Sequence, residues 1–223
     1  MTKYTHWFFQ NFVLRPVSWS LIHLFYTFEI RGVENLVKTS KPLVIVANHK
    51  KFFDGFLVGL SFPFCSRFFP FRFMTESLQF NGTFSEFMRK IGLMQIAYRM
   101  CGGFPSRRGL GAQKATLRPL KYLQSGQAIV MFPEGQLVRE DELGFFYPGA
   151  AVLAMKAGAN ILPIHIFAKK RKILVRIGEP FFLLASDPEE NTALIRAKIE
   201  ELMPKIFAVA PDEIPARREL EKI

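Results

Sequence analysis

The sequence predicts an α/β fold: a mixed, largely parallel central sheet flanked by helices, preceded by an amphipathic helical amino-terminal unit. Three observations predict it. Short apolar runs without alternation recur along the chain, as strands buried on both faces require. Stretches of helical period separate them, which is the pattern of crossover connections. Residues 1–32 follow neither pattern and read as a separate unit ahead of an α/β domain at 33–208 and a polar tail at 209–223.

The stretch from Trp7 to Ile30 reads as one or two amphipathic helices hinged at Pro16, whose ring removes a backbone donor. Trp7, Phe8, Phe9, Phe12, Trp19, Phe25, Tyr26 and Phe28 are residue types that settle at the headgroup boundary of a bilayer, with Lys3 and Arg15 able to reach phosphates. The longest uncharged runs, Pro16 to Phe28 and Leu143 to Met155, fall short of the roughly 20 apolar residues a crossing helix needs. The unit is therefore expected to dip into one face of a membrane. The alternative is a helical hairpin packed on the domain's own core. No secretory leader is evident.

In the α/β domain, Pro42 to Asn48 (PLVIVAN) is the first buried strand, and Ala128 to Phe132, Ile161 to Phe167 and Lys172 to Gly178 are similar. Helices are expected at Phe84 to Ile91, Gly111 to Ser125 and Gly149 to Ala157. Asp187-Pro188-Glu189-Glu190 is a helix start, with Asp187 as cap and Pro188 at the first helical position. Ile195, Ile199, Leu202 and Ile206 then mark one apolar face.

Composition narrows the partners. The 223 residues carry a formal charge of +11 and 25 phenylalanines. Such a balance suits an anionic partner and an apolar one, as an acidic membrane surface or a phosphorylated lipid would be. Nucleic acid is disfavoured, because no recognition helix, zinc set or Arg-interleaved aromatic platform is visible. Cys65 and Cys101 have no metal spacing and read as small core residues in a reducing compartment. His6, His23 and His165 read as structural or interfacial.

Three motifs carry chemistry. His49 follows the first buried strand, where functional groups of open α/β sheets collect. Asp54, five positions on, lies in reach of one imidazole nitrogen if a helix begins between them, leaving the other nitrogen as a base. Phe132-Pro133-Glu134-Gly135 puts a carboxylate on a turn after the next strand. Gly102-Gly103-Phe104-Pro105-Ser106-Arg107-Arg108-Gly109 reads as a flexible glycine turn followed by two guanidiniums that suit phosphate.

Together these blocks resemble the glycerophospholipid acyltransferase family, whose best-known members are the 1-acylglycerol-3-phosphate acyltransferases. Its Asn-His-x4-Asp motif matches Asn48, His49 and Asp54. Its Gly-Gly-hydrophobic-Pro-x-x-Arg block matches Gly102 to Arg108, and its Phe-Pro-Glu-Gly block matches Phe132 to Gly135. The hydrophobic-Pro-hydrophobic strand matches Leu162, Pro163 and Ile164. The resemblance implies acyl transfer from acyl-CoA or acyl-carrier protein to a lysophospholipid hydroxyl, most simply that of 1-acyl-sn-glycerol-3-phosphate. His49 would be the general base and Asp54 its orienting acid. Glu134, Gly135, Arg107 and Arg108, with Gly103 and Pro133, would bind substrate. No metal, cofactor or acyl-enzyme is implied, and the enzyme would sit on the cytoplasmic face of a bacterial inner membrane.

Two departures bear on the acceptor. Many members have Thr-Arg or Ser-Arg after the Phe-Pro-Glu-Gly block where this chain has Gln136-Leu137, with Arg139 two positions later, and Lys51 stands where serine is common. A lyso-ornithine lipid, a glycolipid or another lysophospholipid therefore stays open as acceptor, as does a non-catalytic lipid-binding scaffold. The apolar strip from Phe52 to Phe73 reads as core or as the lining of an acyl-chain groove. Lys169-Lys170-Arg171-Lys172 reads as a solvated face or a contact for anionic headgroups.

Overall fold

The computed structural model describes residues 2–75, 93–105, 114–138 and 142–204. Strands β1 (Thr27–Arg31), β2 (Leu43–Ala47), β3 (Phe71–Thr75), β4 (Gly103–Pro105), β5 (Ala128–Met131), β6 (Asn160–Lys169) and β7 (Lys172–Ile177) form one sheet in the order β1-β7-β6-β2-β5-β3-β4. Neighbours run parallel except in the β6–β7 hairpin. The sheet is mixed and largely parallel, as the sequence predicts.

Its helices are α1 (Lys3–Phe9), α2 (Arg15–Phe25), α3 (Asn35–Lys38), α4 (Asp54–Leu60), α5 (Leu93–Met100), α6 (Leu117–Gln124), α7 (Gly149–Ala157) and α8 (Pro188–Glu200). Central β2 has no exposed residue because both faces are covered. On one face Leu43, Ile45 and Ala47 meet Ile22 of α2 and Leu57 and Leu60 of α4. On the other, Val44 and Val46 meet Leu123, Leu153, Ile195 and Ile199 from α6, α7 and α8. Asp187 caps α8, accepting the N–H groups of Glu189 and Glu190 at 3.3 and 3.1 Å. Ile206, the tail and the helix expected at Phe84 to Ile91 lie outside the described residues.

Helix in the amino-terminal segment stops at Phe25, and Thr27–Arg31 is an edge strand, so the sheet begins inside the stretch 1–32. Five alternating residues after an aromatic helix carry no strong strand signal of their own; β7 beside them supplies the ladder. Nor does Pro16 hinge the chain. Gln10–Leu14 forms a π turn, and Phe9, Gln10, Leu14 and Arg15 all keep right-handed helical angles, so α1 and α2 run on as one rod.

β3 and β4 also went unsignalled, one inside a phenylalanine-rich run and one inside the Gly-Pro block. Gly102 is a fixed turn rather than a flexible one: its φ is +95°, and a Cβ there would stand 2.3 Å from the Phe71 carbonyl oxygen. Cys65 is exposed, contrary to its reading as core, because it occupies a surface turn at φ +55°. Cys101 is half-buried, and burial pushes its thiol up to about 11. Within the phenylalanine strip, Phe62, Phe68, Phe69 and Phe71 are core, whereas Phe52 and Phe64 are exposed.

The rod α1–α2 packs with its polar side inward. The Gln10 amide donates to the carbonyls of Phe71 (2.8 Å) and Cys101 (2.9 Å) and accepts the Phe71 N–H at 2.8 Å. Asn11 accepts the Cys65 N–H. Arg15, expected at lipid phosphates, instead donates to the carbonyls of Gly59 and Leu60, the last residues of α4. His6 accepts from Arg72 at Nε2, so Nδ1 holds the proton it offers the Met100 carbonyl. Tyr4, Phe8, Phe12, Val17, Trp19 and Leu24 face outward, exposed. No helix among the described residues is long and apolar enough to cross a membrane.

His165 on β6 is buried with both ring nitrogens unpartnered, and burial, helped by the charges of Lys50 and Arg176, pushes its pKa down to about 4. The unfolded chain takes that proton near 6.5. Between those two values the unfolded state binds more protons, so stability is whole above the window and falls as pH drops through it, by up to about 3 kcal/mol. His6, also lowered by burial and Arg72, acts in the same direction. Urea midpoints at neutral and mildly acid pH check this, and His165→Leu is expected to shrink the difference.

Candidate active site

β2 ends at the carboxyl edge of the sheet, and the next residue anchors that end. The buried Asn48 amide donates to the Ile166 carbonyl at 2.9 Å and accepts its N–H at 2.6 Å, tying the strand end to β6. His49 is then held through its own backbone: its N–H donates to Glu134 Oε2 at 2.6 Å and its carbonyl accepts the Val138 N–H at 2.8 Å. α4 starts within five residues, so Asp54 in its first turn comes back beneath the imidazole.

His49 Nδ1 lies 2.9 Å from Asp54 Oδ2. The same oxygen accepts the N–H groups of Lys50 (2.6 Å) and Lys51 (2.7 Å), while the buried Oδ1 has no partner. Asp54 is fully buried, and the His49 side chain is 22% exposed. A carboxylate at Nδ1 keeps the proton on that nitrogen and leaves Nε2 basic. The Phe132 ring lies flat against the imidazole, 4.3 Å between centroids at 18°, and its face also suits an imidazolium.

β5 is the parallel neighbour of β2, so Phe132 to Gly135 leave the same edge. The sequence predicts a substrate contact at Glu134; the structure turns its carboxylate inward. It is 2% exposed, and its Oε1 accepts the Gly144 N–H at 2.8 Å while Oε2 accepts that of His49. Burial raises its pKa, opposed by those two N–H groups and by the charges of Lys50 and His49. Gly135 takes φ +66° in the turn, as a left-handed position favours. Pro133 is buried and its carbonyl accepts the Tyr147 N–H at 2.9 Å.

The structure thus brings together His49, Asp54, Glu134, Pro133 and Gly135. It sets Gly103 apart, on β4 two strands beyond β5, where a Cβ would stand 2.3 Å from the Tyr98 ring. Arg107, Arg108 and Arg139 lie outside the described residues. Asn48, Phe132 and Gly144 were not singled out as site residues from the sequence. The first two stand inside recognised blocks, whereas the Gly144 contact depends on a loop path with no local signal. Among the described residues that hydrogen-bond His49 there is no serine or cysteine, and the arrangement holds the imidazole between Asp54 and the Glu134-supported backbone.

Comparison with known proteins finds similarity in both sequence and fold. A family model described as Acyltransferase matches residues 27–167. The chain is 29% identical over 163 residues to the chloroplastic 1-acyl-sn-glycerol-3-phosphate acyltransferase LPAT1 of Arabidopsis thaliana, covering 71% of this chain and 41% of that protein. It is 30% identical over 160 residues to a 1-acyl-sn-glycerol-3-phosphate acyltransferase of Chlamydomonas reinhardtii (70% of this chain, 43% of that one). With the corresponding protein of Borreliella burgdorferi it shares 26% over 140 residues, or 62% of this chain and 50% of the other. The matched region spans half or less of these relatives. The crystal structure of the 1-acyl-sn-glycerophosphate (LPA) acyltransferase PlsC of Thermotoga maritima has the same fold, with a TM-score of 0.65 and 20% identity over 88% of this chain and 79% of that one.

Proposed function

This chain belongs to the acyltransferase family, and from that premise we propose that it moves a fatty acyl group from acyl-CoA or acyl-carrier protein to the free hydroxyl of 1-acyl-sn-glycerol-3-phosphate, giving phosphatidate. His49 Nε2 takes the hydroxyl proton as the oxygen attacks the thioester carbonyl. The C–S bond breaks when the tetrahedral adduct collapses, and the imidazolium returns its proton to the leaving thiolate. Asp54 orients the ring and offsets its charge. The observation that carries this reading is the 2.9 Å contact between His49 Nδ1 and a fully buried Asp54 at the carboxyl edge of the sheet.

Glu134 is a positioning residue in this reading, since both of its oxygens are used by backbone N–H groups. Glu134→Gln forces an amide N–H against one of those donors. Losing one such buried bond is worth about 1–3 kcal/mol, so kcat is expected to fall about 10- to 100-fold with KM little changed. Steady-state kinetics on Glu134→Gln, with Glu134→Asp beside it, measures the effect.

Binding of the acceptor falls to the turn at Gly135 and, beyond the described residues, to Arg107 and Arg108. A small cavity of about 20 Å³ lies between the rod and the sheet, lined by Leu14, Phe56, Gly59, Phe71 and Phe73 beside the polar Gln10 and Arg15; it has room for about one water and not for an acyl chain. The outward aromatic face of α1 and α2 supports attachment to the membrane surface, for which we infer the cytoplasmic face of a bacterial inner membrane. Gln136 and Leu137, both exposed beside the site, favour a second reading in which the chemistry is the same and the acceptor is another lysolipid.

The test is acyl transfer in mixed micelles, offering acyl-CoA and acyl-carrier protein against a panel of lyso-acceptors. Phosphatidate formed from lysophosphatidate supports the first reading, and turnover with another lysolipid alone supports the second. Lipid binding without turnover of any pair would leave a scaffold.

A further inference from the structure

The turn between β6 and β7 carries Lys169, Lys170, Arg171 and Lys172, all exposed. It is tight: Lys169 and Lys172 are direct cross-strand partners, and Lys170 takes φ +51°, where asparagine or glycine is favoured. Like charges opposite one another and a lysine at positive φ both cost local stability. Neither strand of the hairpin contains an acidic residue. Charge is thus concentrated at this tip against the local preference of the backbone, which is the mark of a surface shaped for a partner.

Its position says which partner. The Arg171 carbonyl accepts the Thr27 N–H at 2.7 Å, and Arg171 Nε donates to the Phe25 carbonyl at 3.1 Å, so the tip is fastened to the carboxyl end of α2. Trp19, Leu21, Leu24 and Phe25 on that end of the helix are more than half exposed. An apolar helix face therefore runs directly into a basic tip, on the sheet edge that also carries His49. Apolar side chains next to cations match the acyl region and the phosphates of one bilayer leaflet, in that order.

We propose that the β6–β7 tip is a binding site for anionic phospholipid headgroups: Lys170, Arg171 and Lys172 engage lipid phosphates while α2 enters the acyl region, so attachment is selective for acidic bilayers. This rests on the membrane association proposed above. Each cation near an acidic surface is worth about 1 kcal/mol, or roughly fivefold in affinity. Lys170→Asn combined with Lys172→Gln removes two cations, leaves Arg171 in place and relieves the positive φ, so folding is not put at risk.

Flotation of the full chain with vesicles of phosphatidylcholine alone, or mixed with phosphatidylglycerol, is the test. The wild type is expected to prefer the mixed vesicles, and the double variant to bind them about 30-fold more weakly, with unchanged binding to neutral ones and an undiminished thermal midpoint. Raised salt is expected to erase the difference. Equal binding of both proteins to mixed vesicles overturns the headgroup site while sparing membrane association, whereas no binding to any vesicle overturns both. Loss of acyl-carrier protein binding in the variant, with vesicle binding intact, also overturns it by assigning the tip to the donor.

Discussion

His49→Ala is expected to lower kcat by about 10²- to 10⁴-fold, the usual worth of a positioned base, with the fold and lipid binding kept. The side chain is part-exposed and stacks on the Phe132 ring, so truncation opens toward solvent. The backbone contacts at this residue, to Glu134 and Val138, survive any substitution other than proline. Comparing kcat, thermal midpoint and vesicle binding separates the outcomes. A variant as active as the wild type removes His49 from the reaction, and a variant that unfolds would show that the residue is structural.

Asp54 offers a sharper division between charge and geometry. Three donors converge on Oδ2 and none on Oδ1. Asparagine can place its oxygen at the first position and keep all three hydrogen bonds, leaving an unpartnered amide nitrogen at the second. Asp54→Asn therefore removes the negative charge while holding the ring, and kcat is expected to fall about 10²-fold through weaker support of the imidazolium. Asp54→Ala removes both: the N–H groups of Lys50 and Lys51 lose their acceptor in a part-buried place, and a loss of about 10³- to 10⁴-fold in kcat with a marked drop in thermal midpoint is expected. Equal activity in Asp54→Asn and wild type would show that only orientation matters. Stopped-assay kinetics with urea midpoints on the same preparations gives both readouts.

The central strands were legible because their cover is symmetrical. β2, β5 and β6 lie between two helical layers, so each is dominated by apolar residues, and their boundaries could be read within a residue or two. β1, β3 and β4 were not legible, since each is short and owes its pairing to a neighbour distant in sequence. The contact of His49 with Asp54 could be anticipated because five residues and one helix start bring them together. The inward turn of Glu134 could not, for it depends on Gly144 ten residues on, and on the meeting of two parallel strands. The amino-terminal helix was legible as amphipathic, but which side faces the protein was not. Gln10, Asn11 and Arg15 look like a solvent face until the carbonyls of Phe71, Cys101, Gly59 and Leu60 are set beneath them.

That reversal bears on how the chain reaches its native state. The helix is fastened by amide, guanidinium and imidazole groups as well as by Ile22 and Trp7 against the core, while much of its apolar side stays outside. Undocked, the rod would carry exposed aromatics on one side and unmet polar groups on the other, a surface open to association with other unfinished chains. In the membrane attachment proposed above, a lipid leaflet covers the aromatic side of the rod and leaves the polar side free to meet Phe71 and Gly59.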